Sequence, residues 1–392
     1  MKIQLSEKVG RIKPSPTLAV AARALELKKQ GLDIIDLSVG EPDFDTPQHI
    51  KDAATKALEA GYTKYTPVDG IAAVKQAIAN KLKRENQLNY ELGQIMVSTG
   101  AKQCLFNLCA SVLNPNDEAI IPAPFWVSYP DIVLLTDGTP VTLPSSHEQH
   151  FKISAQQLEK AITPKSKLFF INSPSNPSGM MYSLEELKNL GEVLKKHPQV
   201  IIVTDDIYEH VCWKGNFVNI LNACPELYDR TIVVNGVSKS YAMTGWRIGY
   251  AAGPLEVINA MKKVQSQSTS NPNSIAQHAT VAALNEDQSF IQEMTKAFKE
   301  RHDYFIAALN SIPGFDCLAN DGTFYAFAHI EKAMKSAGLK NDIEFAEFLL
   351  DKAQIAAVPG SAFGTPGYIR FSYATKLELL KKAIERIKQI CA

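Results

Sequence analysis

Short apolar runs alternate with stretches of helical periodicity through the middle of the chain. The runs are Ile95–Val97, Glu118–Ile121, Lys167–Asn172, Val200–Thr204 and Thr231–Asn235. They are rich in Val, Ile and Phe and do not alternate with polar residues, which predicts strands buried on both faces. Apolar positions return with a helical period over Ala101–Leu113, Leu184–Lys195 and, after the last run, Leu255–Val264. Strands and helices in alternation predict an α/β fold, with a mostly parallel sheet flanked by helices.

The pattern changes in the last third. Asp287–Leu309 reads as one long charged helix, followed by short strands near Gly322–Ala328 and Tyr368–Ser372. Ile343–Lys352 and Lys376–Ile390 read as amphipathic helices. A chain of 392 residues exceeds one ordinary domain. The expected division is a large α/β domain over residues 45–285 and a smaller α+β domain over 286–392, joined by residues 1–44.

Charge narrows the range of partners. Lys+Arg and Asp+Glu both number 41, so no net field draws the chain to nucleic acid or a membrane, and small molecules are the expected partners. The six cysteines form no CxxC pair or disulfide framework, and Cys104, Cys109 and Cys212 sit among apolar residues. The N-terminal residues lack an apolar signal core, and no run of about 18 apolar residues occurs. The expected location is the cytoplasm.

In open α/β sheets ligands bind beyond the carboxyl ends of the strands, and here the residues at those ends are chemically distinctive. The first run leads through Ser98-Thr99-Gly100-Ala101 directly into a helix, an arrangement that turns backbone N–H groups toward an anion. Alone it is also an ordinary tight turn, and neither GxGxxG nor GxxxxGK[ST] occurs. The second run ends at Pro124-Phe125-Trp126, where a flat aromatic can stack on a planar ring, although Trp is more often core. The third enters Asn172-Ser173-Pro174-Ser175-Asn176-Pro177-Ser178-Gly179, which turn chemistry explains equally well. The fourth ends in Asp205-Asp206-Ile207-Tyr208, and Asp205 either caps a helix or meets a buried cation. The fifth leads to Ser238-Lys239-Ser240 and on to Arg247. Lys239 has only small and apolar neighbours, where desolvation lowers an amine pKa and suits it to Schiff-base chemistry. Arg247 in similar company calls for an anion. His147-Glu148-Gln149-His150 lacks HExxH spacing, and no metal is expected there.

The string Asn235–Tyr250 (NGVSKSYAMTGWRIGY) resembles the lysine signature of class I, fold-type I pyridoxal-phosphate aminotransferases. SPSNPSG from Ser173, TDDIYEH from Thr204, PFWVSYP from Pro124, VGEPDFDTP from Val39 and VPGSAFG…IRFSYA from Val358 accompany it in the family's order. Within the family the chain is most similar to bacterial aspartate aminotransferases. The resemblance implies pyridoxal 5'-phosphate on Lys239, with Asp205 pairing the ring nitrogen and Asn176 and Tyr208 donating to the ring oxygen. It implies Trp126 stacked on the ring and the phosphate held by Gly100, Ala101, Ser238 and Arg247, with Tyr65 supplied by the second subunit of a homodimer. Arg370 would clamp the substrate α-carboxylate, and Gly40 would lie in a segment closing over it.

One departure bears on substrate choice. Where many relatives carry an Arg for the distal carboxylate of aspartate, four residues before Ser-Asn-Pro, this chain has Ser266. Lys102, reaching across the dimer, Thr17 and Lys13 are the expected replacements. The expected reaction is reversible amino transfer from L-aspartate to 2-oxoglutarate. The alternatives are prephenate or aromatic amino acids as substrates, or a carbon–sulfur lyase on the same fold. A non-catalytic cofactor-binding repressor would need a DNA-binding appendage, for which there is neither length nor basic patch.

Overall fold

The computed structural model describes residues 3–391. Seven strands build the central sheet: β1 (Ile95–Ser98), β2 (Glu118–Ala123), β3 (Thr139–Pro144), β4 (Ser166–Asn172), β5 (Ile201–Asp205), β6 (Thr231–Gly236) and β7 (Gly249–Ala252). Their order is β1-β7-β6-β5-β4-β2-β3. All neighbours run parallel except β7, which is antiparallel to both β1 and β6. The carboxyl ends of β1, β2, β4, β5 and β6 therefore share one edge of the sheet.

The five predicted runs all became strands because both sheet faces are covered. Along β4, Leu168 and Phe170 enter one apolar core, while Phe169 and Ile171 enter the other. Two strands fell outside the predicted runs. β3 lies at the sheet edge, half exposed, and its two prolines break the apolar pattern. β7 is four residues long, Gly-Tyr-Ala-Ala, and its small residues let it fit between β1 and β6.

Helix α1 (Ala72–Asn86), α2 (Ala101–Val112) and α3 (Ser128–Leu135) lie among the elements around this sheet. In the last third, the helix Ser289–Asn310 precedes β8 (Asp316–Cys317), β9 (Tyr325–His329), β10 (Val358–Pro359) and β11 (Tyr368–Ser372). These strands form an antiparallel sheet ordered β10-β11-β9-β8. Its core contains Phe298, Phe305, Phe324, Phe345 and Phe371, and takes in Ile35 and Leu37 from the N-terminal segment. Ile35–Asp36 pairs with Ile355–Ala356, and Leu37 accepts a hydrogen bond from the Ser372 N–H at 2.7 Å. That contact lays the N-terminal segment beside Arg370. Among the described residues no helix is long and apolar enough to cross a membrane.

Candidate active site

At the shared strand edge lies a cavity of about 260 Å³. Its wall includes Thr17 and Gly40 from the N-terminal segment, Lys239 and Arg247 from beyond β6, and Arg370 from β11. Ala101, Lys102, Trp126, Asn176, Asp205, Tyr208 and Ser238 complete the predicted set found there.

One end of the cavity is built for an anion. Gly100, at φ 86°, is the N-cap of the 12-residue helix α2. A Cβ at this glycine would fall 2.3 Å from Arg247 Nη2, so no larger residue fits while the guanidinium stays in place. The same close approach governs β7, where a Cβ on Gly249 would lie 2.1 Å from the Ala101 amide nitrogen. Arg247 itself is exposed, sits at φ 57°, and donates to the Thr244 carbonyl at 2.8 Å rather than to a carboxylate. A helix N-terminus beside a guanidinium favours a phosphate-like group.

Asp205 ends β5 and is 5% exposed. The backbone beyond it turns without forming a helix, so the capping alternative has no helix to cap. Its Oδ1 accepts from the Ile207 N–H at 3.3 Å, and its Oδ2 accepts from the Tyr129 hydroxyl at 2.7 Å. Burial pushes this carboxyl up to about 6, against the pull of Tyr129, the Ile207 N–H and Lys239. Tyr129 escaped the sequence reading, although it lies on α3 three residues after Trp126.

Lys239 occupies the turn after β6 and donates from Nζ to the Gly40 carbonyl at 2.5 Å. Burial pushes its ammonium down to about 8, helped by Arg247 and Arg370 and opposed by Glu41 and Asp205. An amine in that range is partly neutral near pH 7 and available as a base or nucleophile.

Arg370 is 2% exposed and has only neutral acceptors: Asn176 Oδ1 at 2.9 Å and the Ser38 carbonyl at 2.7 Å. Its Nε has no partner, and the Tyr325 and Phe363 rings lie 4.3 and 4.9 Å from the guanidinium carbon. A buried cation so placed calls for an anion from outside the chain. Asn176 gives its oxygen to Arg370, which leaves its amide N–H₂ as a donor at the cavity wall. Tyr208 meets Tyr325 hydroxyl to hydroxyl at 2.9 Å. Tyr325 is another lining residue that sequence reading missed, because its contacts with Tyr208 and Arg370 exist only after folding.

Besides Gly100 at the helix N-cap, two predicted residues lie outside the lining, and a third sits otherwise than expected. Tyr65 is 93% exposed and outside the cavity lining. Lys13 is exposed beside Asp131 and also outside the lining. Lys102, expected to reach across a dimer, lines the cavity of its own chain with Nζ 4.9 Å from the centre of the Trp126 ring. Ser266 is exposed at the end of a helix, bonded to the Lys263 carbonyl at 2.7 Å.

A model of the aminotransferase class I and II family matches residues 32–387. The chain belongs to that family. An aspartate/prephenate aminotransferase from Nitrosomonas europaea is 56% identical, over 99% of this chain and 100% of the relative. The Bacillus subtilis aspartate aminotransferase is 49% identical over 99% of this chain and 98% of its own. A Rhizobium meliloti aspartate aminotransferase structure superposes with a TM-score of 0.96 at 47% identity, covering 100% of this chain and 99% of that one. A Thermus thermophilus aspartate aminotransferase solved with maleate gives 0.94 at 41% identity, covering 99% and 100%. The cavity of this aminotransferase thus combines a low-pKa amine, an anion cradle, a buried carboxylate and a buried unpaired arginine.

Proposed function

We propose that this aminotransferase moves the amino group of L-aspartate reversibly to 2-oxoglutarate by a ping-pong route, using pyridoxal 5'-phosphate on Lys239. The observation that carries this reading is Arg370, buried with neutral partners and an open Nε, in one cavity with Lys239 and Asp205. The residues fit the cofactor. Gly100, Ala101, Ser238 and Arg247 suit its phosphate, Trp126 offers a flat wall, and Asp205 lacks the cationic donor that a protonated ring nitrogen would supply.

Pyridoxal phosphate, when bound, supplies an electron sink for the bond broken at the substrate Cα. Asp205 would accept a charge-assisted hydrogen bond from the ring nitrogen and so maintain that sink. Tyr208 and Asn176 would donate to the ring oxygen. Arg370 binds the α-carboxylate through its planar fork, which a lysine could not reproduce. Lys239 would take the proton from the substrate Cα and deliver it to the cofactor C4′, a shift that its single amine can span. Lys102 and Thr17 meet the distal carboxylate. As a point charge on a flexible stem, Lys102 tolerates more than one acidic side chain.

The relatives named for both aspartate and prephenate favour a second amino-group partner of that type, also acidic. We further propose a homodimer with Tyr65 completing the neighbouring site, the domain boundaries 45–285 and 1–44 with 286–392, and a cytoplasmic location. The test is a panel of amino acids mixed with the loaded enzyme, following cofactor absorbance in single half-reactions. Aspartate and glutamate should react fastest, and turnover should require a 2-oxo acid. Steady turnover without a 2-oxo acid would instead identify a lyase.

A further inference from the structure

Behind the cavity lies a buried charge cluster that the proposed reaction does not use. Lys81 of α1 is 1% exposed and donates to Glu209 and, at 2.8 Å, to Asn86 Oδ1. Glu209, 6% exposed, also accepts from Asn86 Nδ2 at 2.7 Å and from Asn235 Nδ2 at 2.6 Å. At the rim of this cluster His210 Nε2 is 2.9 Å from Glu85 Oε2, and His210 Nδ1 is 2.8 Å from Ser240 Oγ. Ligand atoms of Glu85, Glu209 and His210 lie within 4.8 Å of one another, as around a metal. The Lys81 ammonium, bonded to Glu209 and 3.4 Å from Glu85, already fills the role of the cation.

The cluster is placed where it touches the chemistry. Glu209 and His210 directly follow Tyr208, and Asn235 and Ser240 bracket the turn that carries Lys239. The two turns are thus bonded to each other and anchored together on α1. Burying an ammonium and a carboxylate costs more than an apolar pair of the same shape, so the arrangement calls for a role beyond stability.

The ionised Glu85 carboxylate sets the direction of one of the two His210 hydrogen bonds. Although burial opposes it, His210 and Lys81 hold the Glu85 carboxyl down at about 2, so it only accepts. His210 therefore carries its proton on Nε2, facing Glu85. With the ring neutral, Nδ1 accepts from the Ser240 hydroxyl; with the ring charged, Nδ1 donates to Ser240. A proton arriving at His210 reverses the bond made by the residue next to Lys239. The charged and titratable groups around the imidazole are Glu85, Arg84 and Lys81 from α1, Glu209 on its own turn, and Tyr241, whose ring centre is 6.4 Å away.

We infer that Glu85, His210 and Ser240 form a positioning relay that ties the Lys239 turn to α1 and makes the seat of the Lys239 amine depend on the protonation of His210. The inference rests on the reading of Lys239 as the amine of the site. Two measurements test it. In the cofactor-free full-length protein, the rate at which trinitrobenzenesulfonate modifies Lys239 is followed by peptide mass spectrometry against pH. The wild type should show a second step beside the lysine titration. Ser240→Ala and His210→Phe should each remove that step and move the lysine midpoint by about half a pH unit, the scale of one reoriented hydrogen bond. The double variant should shift no further than either single one. In the loaded enzyme the pH midpoint of cofactor absorbance should move in the same direction. Wild-type profiles in Ser240→Ala, or additive shifts in the double variant, would overturn the relay. Loss of the Lys239 reading would appear separately, as unchanged cofactor absorbance in Lys239→Ala.

Discussion

Asp205 is held in a position that suits the cofactor better than it suits the empty chain. Its carboxyl titrates at about 6 in the fold against an ordinary value of 3.8. Between those values the native carboxyl keeps a proton that the unfolded chain has lost, so the native state binds more protons. The stability of the cofactor-free protein should therefore fall as pH rises through this window, by about 3 kcal/mol in all. Urea midpoints at about pH 4 and about pH 7 would measure it. Asp205→Asn should abolish the decline attributable to this group, and pyridoxal phosphate should offset it by supplying a cationic N–H. The same substitution should slow the half-reaction by roughly two orders of magnitude or more, as with other preorganised charges. A loss of only a few-fold would leave Asp205 as a turn residue held by Tyr129. Lys102 makes the complementary case. Lys102→Ala should raise KM for aspartate and glutamate about ten-fold, the worth of one charged hydrogen bond, with little effect on alanine or phenylalanine. Lys13→Ala, outside the cavity lining, should leave those values within about two-fold. Equal losses for acidic and neutral substrates would move distal recognition away from Lys102.

The elements that carry the site were the ones most legible in the sequence. β1, β2, β4, β5 and β6 are apolar because both their faces are covered, and β1, β4 and β5 stop at Ser98, Asn172 and Asp205, which the interior would not tolerate unpaired. β7 left no such mark. Gly249 to Ala252 is too short and too small for a periodic signal, and its position between β1 and β6 depends on partners far away in sequence. The supporting tyrosines were hidden for the same reason: Tyr129 acquires a role only when β5 brings Asp205 to it, and Tyr325 only when β11 brings Arg370. Nothing in the sequence singles out Lys81 and Glu85, which acquire partners only when the fold sets them against Glu209 and His210. β7 nevertheless bears directly on function, because Gly249 lets its backbone pass against the start of α2. Gly249→Ala should push the Ala101 amide out of the anion cradle. Overpacking of this kind costs about 1–3 kcal/mol, so the unfolding midpoint should drop. Cofactor affinity should weaken about ten-fold or more if a backbone donor to the phosphate is lost. Unchanged affinity in a destabilised variant would show that the cradle does not depend on this contact.

At the scale of the molecule, the cavity gathers residues from the N-terminal segment, the central sheet and β11, yet Tyr65, a predicted participant, lies outside its lining. Tyr65 is 93% exposed, whereas Tyr62, three residues before it, stacks on His278. An aromatic so open has no packing role within its own chain, which is the situation expected of a side chain that completes a neighbour's site in a two-fold dimer. In such a dimer each site takes Lys239 from one subunit and Tyr65 from the other. Tyr65→Ala should then weaken cofactor binding without lowering the unfolding midpoint of the chain, since no buried contact is lost. Lys239→Ala should fold and bind cofactor noncovalently, without the absorbance of the bonded form and almost without turnover. Mixing the two variants separates a shared site from a self-contained one. A mixed dimer places both lesions in one site and leaves the other intact. After unfolding and refolding an equal mixture, half the dimers are mixed and each has one sound site. Activity should recover to roughly a quarter of wild type, well above the mean of the two parents. A site complete within one chain would give only that mean, whatever the proportion of mixed dimers. The recovered activity should also vanish if either variant is refolded alone at the same total concentration, which ties it to the exchange of subunits.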